Sequence, residues 1–317
     1  MKTSITLTQL EYALAVKTHG SFSAAAKACH VSQPALSEMI HKLEQAVGVI
    51  LFDRKQSPIG VTEVGRDVLE QARRALDEAQ RVGEIADEWK GQVRGVLRIG
   101  LIPTLAPALI PIFLKSMRAK YPEVALQLTE APTDQLLVGL QSNELDVALL
   151  STPADAPGHF VEKPLFYEPF RVYASRGSAL LKRKSLELHE LENENLILMD
   201  ESHCARDQVL SICRKQKHGN QTTVKGGLQT LISVVDHEDG FTLIPELLSG
   251  LVTKSQLREL EAGRHTRKIS MLINKAHLKK KLIELLAAEI LDNLPAEIHL
   301  KREPGMKVVP PDAKRFA

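Results

Sequence analysis

Apolar and polar positions along the chain follow three successive patterns, changing near residue 62 and again near residue 95. In the first, the apolar spacing is helical. Leu10, Leu14 and Val16, with Tyr12 and Ala13, predict a helix from about Leu7 to His19, opened by the capping-box pattern Thr8-Gln9-Leu10-Glu11 and stopped by Gly20. Ser23 is expected to cap a short Ala-rich helix over Ala24 to Cys29. Ser32 is expected to cap a third, whose core stripe is Leu36, Ile40, Leu43 and Val47 and whose first turn holds Pro34, where a missing N–H costs nothing. Two short helices joined by a tight turn, with small residues at the crossing, describe a helix-turn-helix. Leu51 to Arg54 and Ile59 to Thr62, either side of Gln56-Ser57-Pro58, read as a hairpin wing.

Thr62 then opens one long helix reaching about Trp89, with a stripe of Leu69, Ala72, Leu76, Ala79, Val82, Ile85 and Trp89 that calls for a partner. Gly91 and Gly95 bound a hinge. From Val96 the pattern becomes strand-helix alternation. Strands are predicted at Val96 to Leu101, Ala125 to Thr129, Val147 to Ser151, Arg171 to Ser175, Leu196 to Met199, Phe241 to Ile244 and Lys268 to Asn274. Helices are predicted at Leu105 to Tyr121, Asp134 to Asn143, Leu228 to His237 and Leu278 to Leu294, so βαβ units build a mainly parallel sheet. Residues 301–317 carry three prolines and no apolar period, and are expected to be a disordered tail.

The net charge of +2, from 41 basic and 39 acidic residues, says little about partners, so nucleic-acid affinity must be sought in local placement. Residues 1–61 hold six Lys/Arg against four Asp/Glu. Gln33 and Ser37 lie at the N-terminal end of the third helix, the end a recognition helix presents to base edges. Taken alone, such a polar face is ordinarily a solvated surface. The uncharged run Ile99 to Leu114 is 16 residues long and broken by Pro103, Pro107 and Pro111, too short to span a bilayer. The histidines are scattered and Cys29 is isolated, so no metal spacing and no cofactor motif is present. Cys29 reads as a small packing residue.

Three cysteines in 317 residues, with no N-terminal apolar segment, point to a reducing cytosol. Two of them share one segment. Ser202 is a good N-cap, and Val209, Leu210, Ile212 and Cys213 give the apolar spacing of a helix that places Cys204 in its first turn. The helix dipole, His203 and Arg206 would each favour thiolate there. Cys213 lies nine residues on, ~13 Å along a helix, against the ~5.5 Å between Cα atoms that a disulfide requires. A bond between them would require the helix to come apart, which is the form of a redox switch. On the segment alone, two incidental cysteines, one buried and one on a helix end, are the better explanation.

The run SFSAAAKACHVSQPALSEMIHKLEQAVGVILFDR, followed by VTEVGRDVLEQA, resembles the winged helix-turn-helix of LysR-type transcriptional regulators. GLIPTLAP, EAPTDQLL and above all HCARDQ, with a second cysteine nine residues beyond the first, are similar to the peroxide-sensing members of that family, and the resemblance runs to about Leu294. It implies an α/β protein of three parts: a winged helix-turn-helix (1–61), a linker and dimerisation helix (62–91), and a two-lobed periplasmic-binding-protein-like α/β effector domain (92–300). It implies DNA contacts at Ser32, Gln33, Pro34, Ser37 and Lys42, and from the wing Arg54. It also implies a peroxidatic Cys204, a resolving Cys213, and a peroxide pocket of Thr104, Thr133, His203, Asp207 and Arg206. Asp207 could orient His203 or pair with Arg206. Implied partners are double-stranded DNA, hydrogen peroxide, further copies of the chain as dimer or tetramer, a cytosolic dithiol reductant such as glutaredoxin or thioredoxin, and RNA polymerase. The family pattern has Gly where this chain has Ser202 and Leu where it has Ala205, and a histidine usual in the next strand has no match around Thr222 and Thr223. Two rival readings remain: a regulator that binds a small carboxylate through Thr104 and Thr133, and a stand-alone thiol peroxidase.

Overall fold

The computed structural model describes residues 5–56, 58–90, 92–152, 160–213, 220–275 and 279–316. Ser57, Gly91 and Leu278, and the side chain of Ile85, each named above, lie outside what is described. Contacts divide the chain into two units, Met1–Lys90 and Gly91–Ala317. The long helix therefore belongs with the N-terminal helices, and the C-terminal tail with the α/β part.

The first unit is a winged helix-turn-helix. Helices α1 (Leu7–His19), α2 (Phe22–Ala28) and α3 (Gln33–Val47) bury Ala13, Val16, Ala25, Leu36, Ile40 and Leu43 in one core. The caps of α1 and α2 fall two residues earlier than the sequence pattern suggests. Thr6 and Gln9 form the capping box of α1, because Leu7 is already helical. Ser21 caps α2, because burial of Phe22 draws that residue into the helix. Ser32 caps α3 as expected, and Cys29 is half-buried against the core. Strands β1 (Phe52–Asp53) and β2 (Gly60–Val61) pair antiparallel as the wing.

Thr62 Oγ1 accepts from Gly65 N at 3.0 Å and opens α4 (Glu63–Trp89). The α4 stripe divides. Leu69 and Ala72 are buried in the head's own core and Leu76 packs partly against it, whereas Val82 and Trp89 are 69% and 88% exposed.

The second unit is a two-lobed α/β fold. In the first lobe β3 (Gly95–Leu101) pairs parallel with β4 (Val124–Glu130) and β5 (Val147–Ser151), with α5 (Ala106–Lys120) and α6 (Thr133–Gln141) as the connections. The chain then enters β6 (Phe160–Ala174), far longer than the strand at Arg171 to Ser175 read from the sequence. Its prolines mask it: Pro164 sits opposite Ser270, where the register shifts, a position that tolerates a residue without a donor. In the second lobe come β7 (Ser185–Leu186), β8 (Leu196–Met199), α7 (Cys204–Cys213), β9 (Gln221–Val224), α8 (Leu228–His237), β10 (Phe241–Pro245) and β11 (Leu257–Leu260). The chain returns along β12 (His265–Asn274), antiparallel to β5 and β6, and ends the first lobe with α9 (Lys280–Asp292). The strand order β4-β3-β5-β12-β6-β10-β8-β9 makes β6 common to both lobes.

The tail is ordered, contrary to its composition. β13 (Lys307–Val308) pairs parallel with β12 at His265 and Thr266, Val309 is buried in the second lobe's core, and residues Ala313–Phe316 form a turn of 3₁₀-helix with Phe316 packed against the first lobe. Edge pairing supplies the order that apolar periodicity does not. No described helix is long and apolar enough to cross a membrane.

Candidate thiol site

Cys204 is the first residue of α7 and Cys213 the last, and all three cysteines are thiols. Both α7 thiols are buried, but in different places: Cys204 in the first lobe's apolar cluster with Leu101, Leu105 and Leu136, and Cys213 in the second lobe's with Leu196, Leu198 and Leu243. The helix thus has one end in each core.

The turn ahead of α7 is built differently from the sequence expectation. The Ser202 hydroxyl donates to Asp200 Oδ1 at 2.6 Å, and so does Ser202 N at 2.9 Å, closing an Asx-type turn instead of capping the helix. His203 is buried beside it, and burial pulls its imidazole below the ordinary range, so that it is neutral at pH 7. Its Nδ1 has no hydrogen-bond partner among the described residues.

Thr133, first residue of α6, lies close enough to the Cys204 sulfur to favour its thiolate, yet its buried oxygen is left without a well-formed hydrogen bond. Thr104 is buried ahead of α5 and its Oγ1 accepts from Arg267 Nη1 at 2.7 Å. That leaves the Thr104 hydroxyl proton for another acceptor. Buried polar atoms without partners are costly, and a cluster of them beside a thiol is the mark of a site for a small polar ligand.

Sequence reasoning missed Arg267. It is wholly buried on β12, directly opposite Glu168 of β6, and the pair is joined by bonds of 2.7 Å from Nε and 2.6 Å from Nη2. The signal was present as period-two alternation: Arg267 is in phase with buried Ile269 and Met271, and Glu168 with buried Phe166 and Phe170. An ionic pair at core-facing positions of two neighbouring strands is seldom structural decoration.

Burial pushes the Cys204 thiol up. Arg267, Arg315 and the Thr133 hydroxyl oppose this, and Asp207 adds to it. The expected resting thiolate is therefore corrected, since a sulfur inside an apolar cluster loses more from desolvation than the dipole at its helix end restores. Arg206 is not one of the cations acting on the sulfur. Its guanidinium reaches Met199 O at 3.3 Å and Thr223 Oγ1 at 3.5 Å. Asp207 pairs with neither His203 nor Arg206 but with Arg315 of the tail, at 2.7 Å. Burial pushes Cys213 up to about 12. In folded, reduced protein at pH 8 it is expected to resist iodoacetamide, becoming labelled only when denaturant is added; peptide mass mapping would check this.

On the first unit, Gln33 and Ser32 are exposed at the start of α3 and Ser37 is half-buried one turn on. Lys42 is exposed and bridged to Glu38 at 2.7 Å. Arg54 is less free than a groove-reaching wing residue. It bonds Glu44 Oε2 at 3.2 Å and lies 5.0 Å over the Phe22 ring, tying the wing to the head's core.

Two family descriptions match the chain: "Bacterial regulatory helix-turn-helix protein, lysR family" over residues 7–66, and "LysR substrate binding domain" over residues 90–295. A probable hydrogen peroxide-inducible genes activator of Streptomyces viridosporus is 36% identical over 302 residues, 92% of this chain and 96% of its own. Among solved structures, a full-length cysteine-to-aspartate mutant of OxyR from Pseudomonas aeruginosa superposes with a TM-score of 0.67 at 31% identity, covering 90% of this chain and 97% of its own. A hydrogen peroxide-bound cysteine-to-serine mutant of OxyR from Corynebacterium glutamicum gives 0.61 at 29% identity, covering 91% and 94%.

Proposed function

Because the chain belongs to the LysR family of bacterial regulators, among its OxyR-type hydrogen peroxide-inducible activators, we propose that it binds double-stranded DNA as a homo-oligomer in the cytosol and senses peroxide through Cys204 and Cys213. One observation carries the reading: a ten-residue helix with a buried thiol at each end, the N-terminal one beside unpartnered hydroxyl and imidazole groups and a buried arginine. Deprotonated Cys204 attacks one peroxide oxygen. An S–O bond forms as the O–O bond breaks, and the departing hydroxide takes up a proton to leave as water. Thr104 and Thr133 hydroxyls are placed to donate to the oxygens, while neutral His203 offers Nδ1. The Cys213 sulfur then attacks the sulfenic acid, the S–O bond breaks and a second water leaves. Two thiols have lost two electrons to peroxide. A cytosolic dithiol of the glutaredoxin or thioredoxin kind reverses the change by exchange, and RNA polymerase would receive the altered regulator at the promoter.

Intact mass and thiol count test this directly. With one equivalent of peroxide the protein should lose two hydrogens and two of its three thiols. Retention of all three, with a DNA response to small carboxylates instead, would replace peroxide by an organic effector.

For the DNA-binding head, Gln33→Ala should relax base preference by about 1–3 kcal/mol per half-site in competition binding. Arg54→Ala should weaken binding to all sequences and, because Arg54 also anchors the wing, lower head stability by about 1 kcal/mol after solvent screening. Oligomerisation is assigned to the exposed end of α4. Val82→Glu should lower the mass read by light scattering, whereas Leu76→Glu should chiefly destabilise the head it packs against.

A further inference from the structure

We propose that Arg315, delivered by the C-terminal segment, is a positioning residue for the reaction at Cys204, and that this segment must let go of α7 before the disulfide can form. The proposal rests on the peroxide-sensing reading of Cys204. Its geometry is that of a clasp. Arg315 Nε donates to Asp207 Oδ2 at 2.7 Å, Nη2 to Glu201 O at 2.6 Å and His203 O at 3.4 Å, and Nη1 to Ser202 O at 3.2 Å. One guanidinium therefore gathers three consecutive carbonyls of the turn that leads into Cys204 and the carboxylate one turn beyond it. Only a planar fork with several donors can do this; an ammonium cannot.

The clasp is held from both lobes. β13 pairs with β12 immediately before Arg267, Val309 is buried in the second lobe's core, Phe316 packs on the first, and Asp312 closes the last turn through Lys314 N at 3.0 Å. A second tie lies on the same helix: Gln208 Nε2 donates to Val309 O at 2.7 Å and to Ser151 Oγ at 3.1 Å. Asp207 and Gln208 keep these bonds only while α7 is helical, so opening α7 removes both. By reciprocity, the docked tail opposes that opening.

Charge adds to position. Arg315 favours the Cys204 thiolate, in surroundings that also hold Arg267 from β12, Asp207 from α7, His203 from the preceding turn, Asp134 from α6 and Glu130 from β4. The ion pair with Arg315 offsets part of the charge of Asp207, which works against the thiolate.

The test uses the full chain, Arg315→Ala, Arg315→Lys, Asp207→Asn and a truncation ending at Asp312. Two rates are followed at Cys204 by mass spectrometry across pH: sulfenic acid formation by peroxide, and alkylation by iodoacetamide, which does not depend on peroxide sensing. Arg315→Ala and the truncation should slow peroxide oxidation by roughly 10- to 100-fold and move the alkylation profile to higher pH, without changing the far-ultraviolet spectrum. Arg315→Lys should restore the alkylation profile but not the peroxide rate. Should the alanine variant fail to fold, the truncation, which removes Arg315 and leaves α7 unaltered, should show the slower peroxide rate, and Asp207→Asn, which loses the carboxylate anchor but also an anion that opposes the thiolate, should raise hydrogen exchange of residues 307–316. Hydrogen exchange of residues 307–316 should rise in the wild-type disulfide form. Wild-type rates and pH profiles in Arg315→Ala and the truncation overturn the proposal, as does a tail still protected after oxidation. Wild-type protein that alkylates normally but ignores peroxide overturns the sensing reading instead.

Discussion

Exchange of Cys204 for serine is expected to abolish disulfide formation by peroxide completely, while exchange of Cys213 should leave the first oxidation intact and stop the protein at a sulfenic acid. The asymmetry follows from surroundings. Cys204 has Thr133, Arg267 and Arg315 favouring its thiolate, whereas burial pushes Cys213 up to about 12. In Cys213→Ser the sulfenic acid has no resolving thiol, so excess peroxide should carry it to sulfinic acid, a gain of two oxygens visible by mass. The pH dependence has a definite sign. Since burial holds Cys204 above the usual thiol range, its thiolate fraction at neutral pH is limiting and grows about tenfold per pH unit until the thiol titrates. The first oxidation should accelerate accordingly from pH 6 upward. A rate flat across that range, or a Cys204→Ser protein that still loses two thiols to peroxide, defeats the assignment.

Removing Arg267 should have the largest effect on stability. Arg267→Met leaves Glu168 fully buried opposite an uncharged side chain, and breaking such a pair from one side costs about 3–5 kcal/mol. Denaturant unfolding of the second unit should show it. Pairing the change with Glu168→Leu removes the stranded carboxylate too, and should recover most of the loss, because buried ion pairs replaced as a pair are close to neutral. Peroxide reactivity should not recover, since Thr104 has lost its donor and Cys204 a compensating cation. A double variant that is stable and also fully reactive would reduce Arg267 to a structural part. Failure of the double variant to regain stability would show instead that the interstrand charges are needed for the fold itself.

Local rules carried the reading of the sequence well where structure is local. The head's three helices, the wing, the long α4 and the alternation after Val96 all follow from caps and periodicity, with the first two caps falling two residues earlier than read, at Thr6 and Ser21. The placement of both thiols on one helix, with Cys204 in its first turn, was legible for the same reason. What was not legible depends on pairing at a distance. β6 was cut short because it holds two prolines, Pro164 where its register against β12 shifts and Pro169 opposite Thr266, and only the pairing with β12 shows that both belong to one strand. Arg267 and Glu168 are 99 residues apart, and each alone looks like an ordinary charged residue at a strand end. The tail shows no period of its own and takes its order from β12 and from two cores. Arg206 was misplaced because proximity in sequence to Cys204 is not proximity to its sulfur. On the helix it turns back towards β8 and β9.

A helix with one sulfur in each core also separates two clocks. The first chemical step is bimolecular and speeds up with peroxide. The second requires α7 to open, drawing Cys204 and Cys213 from separate apolar clusters, and proceeds at a rate that peroxide does not change. Response time therefore has a floor set by the protein. A brief exposure is remembered as sulfenic acid until the helix opens, and doses beyond the point where the first step outruns the second yield no faster signal. Still higher doses should shrink the response, because sulfinic acid forms before Cys213 arrives. The opening rate of ten residues thus fixes the upper end of the concentration window over which the regulator can report.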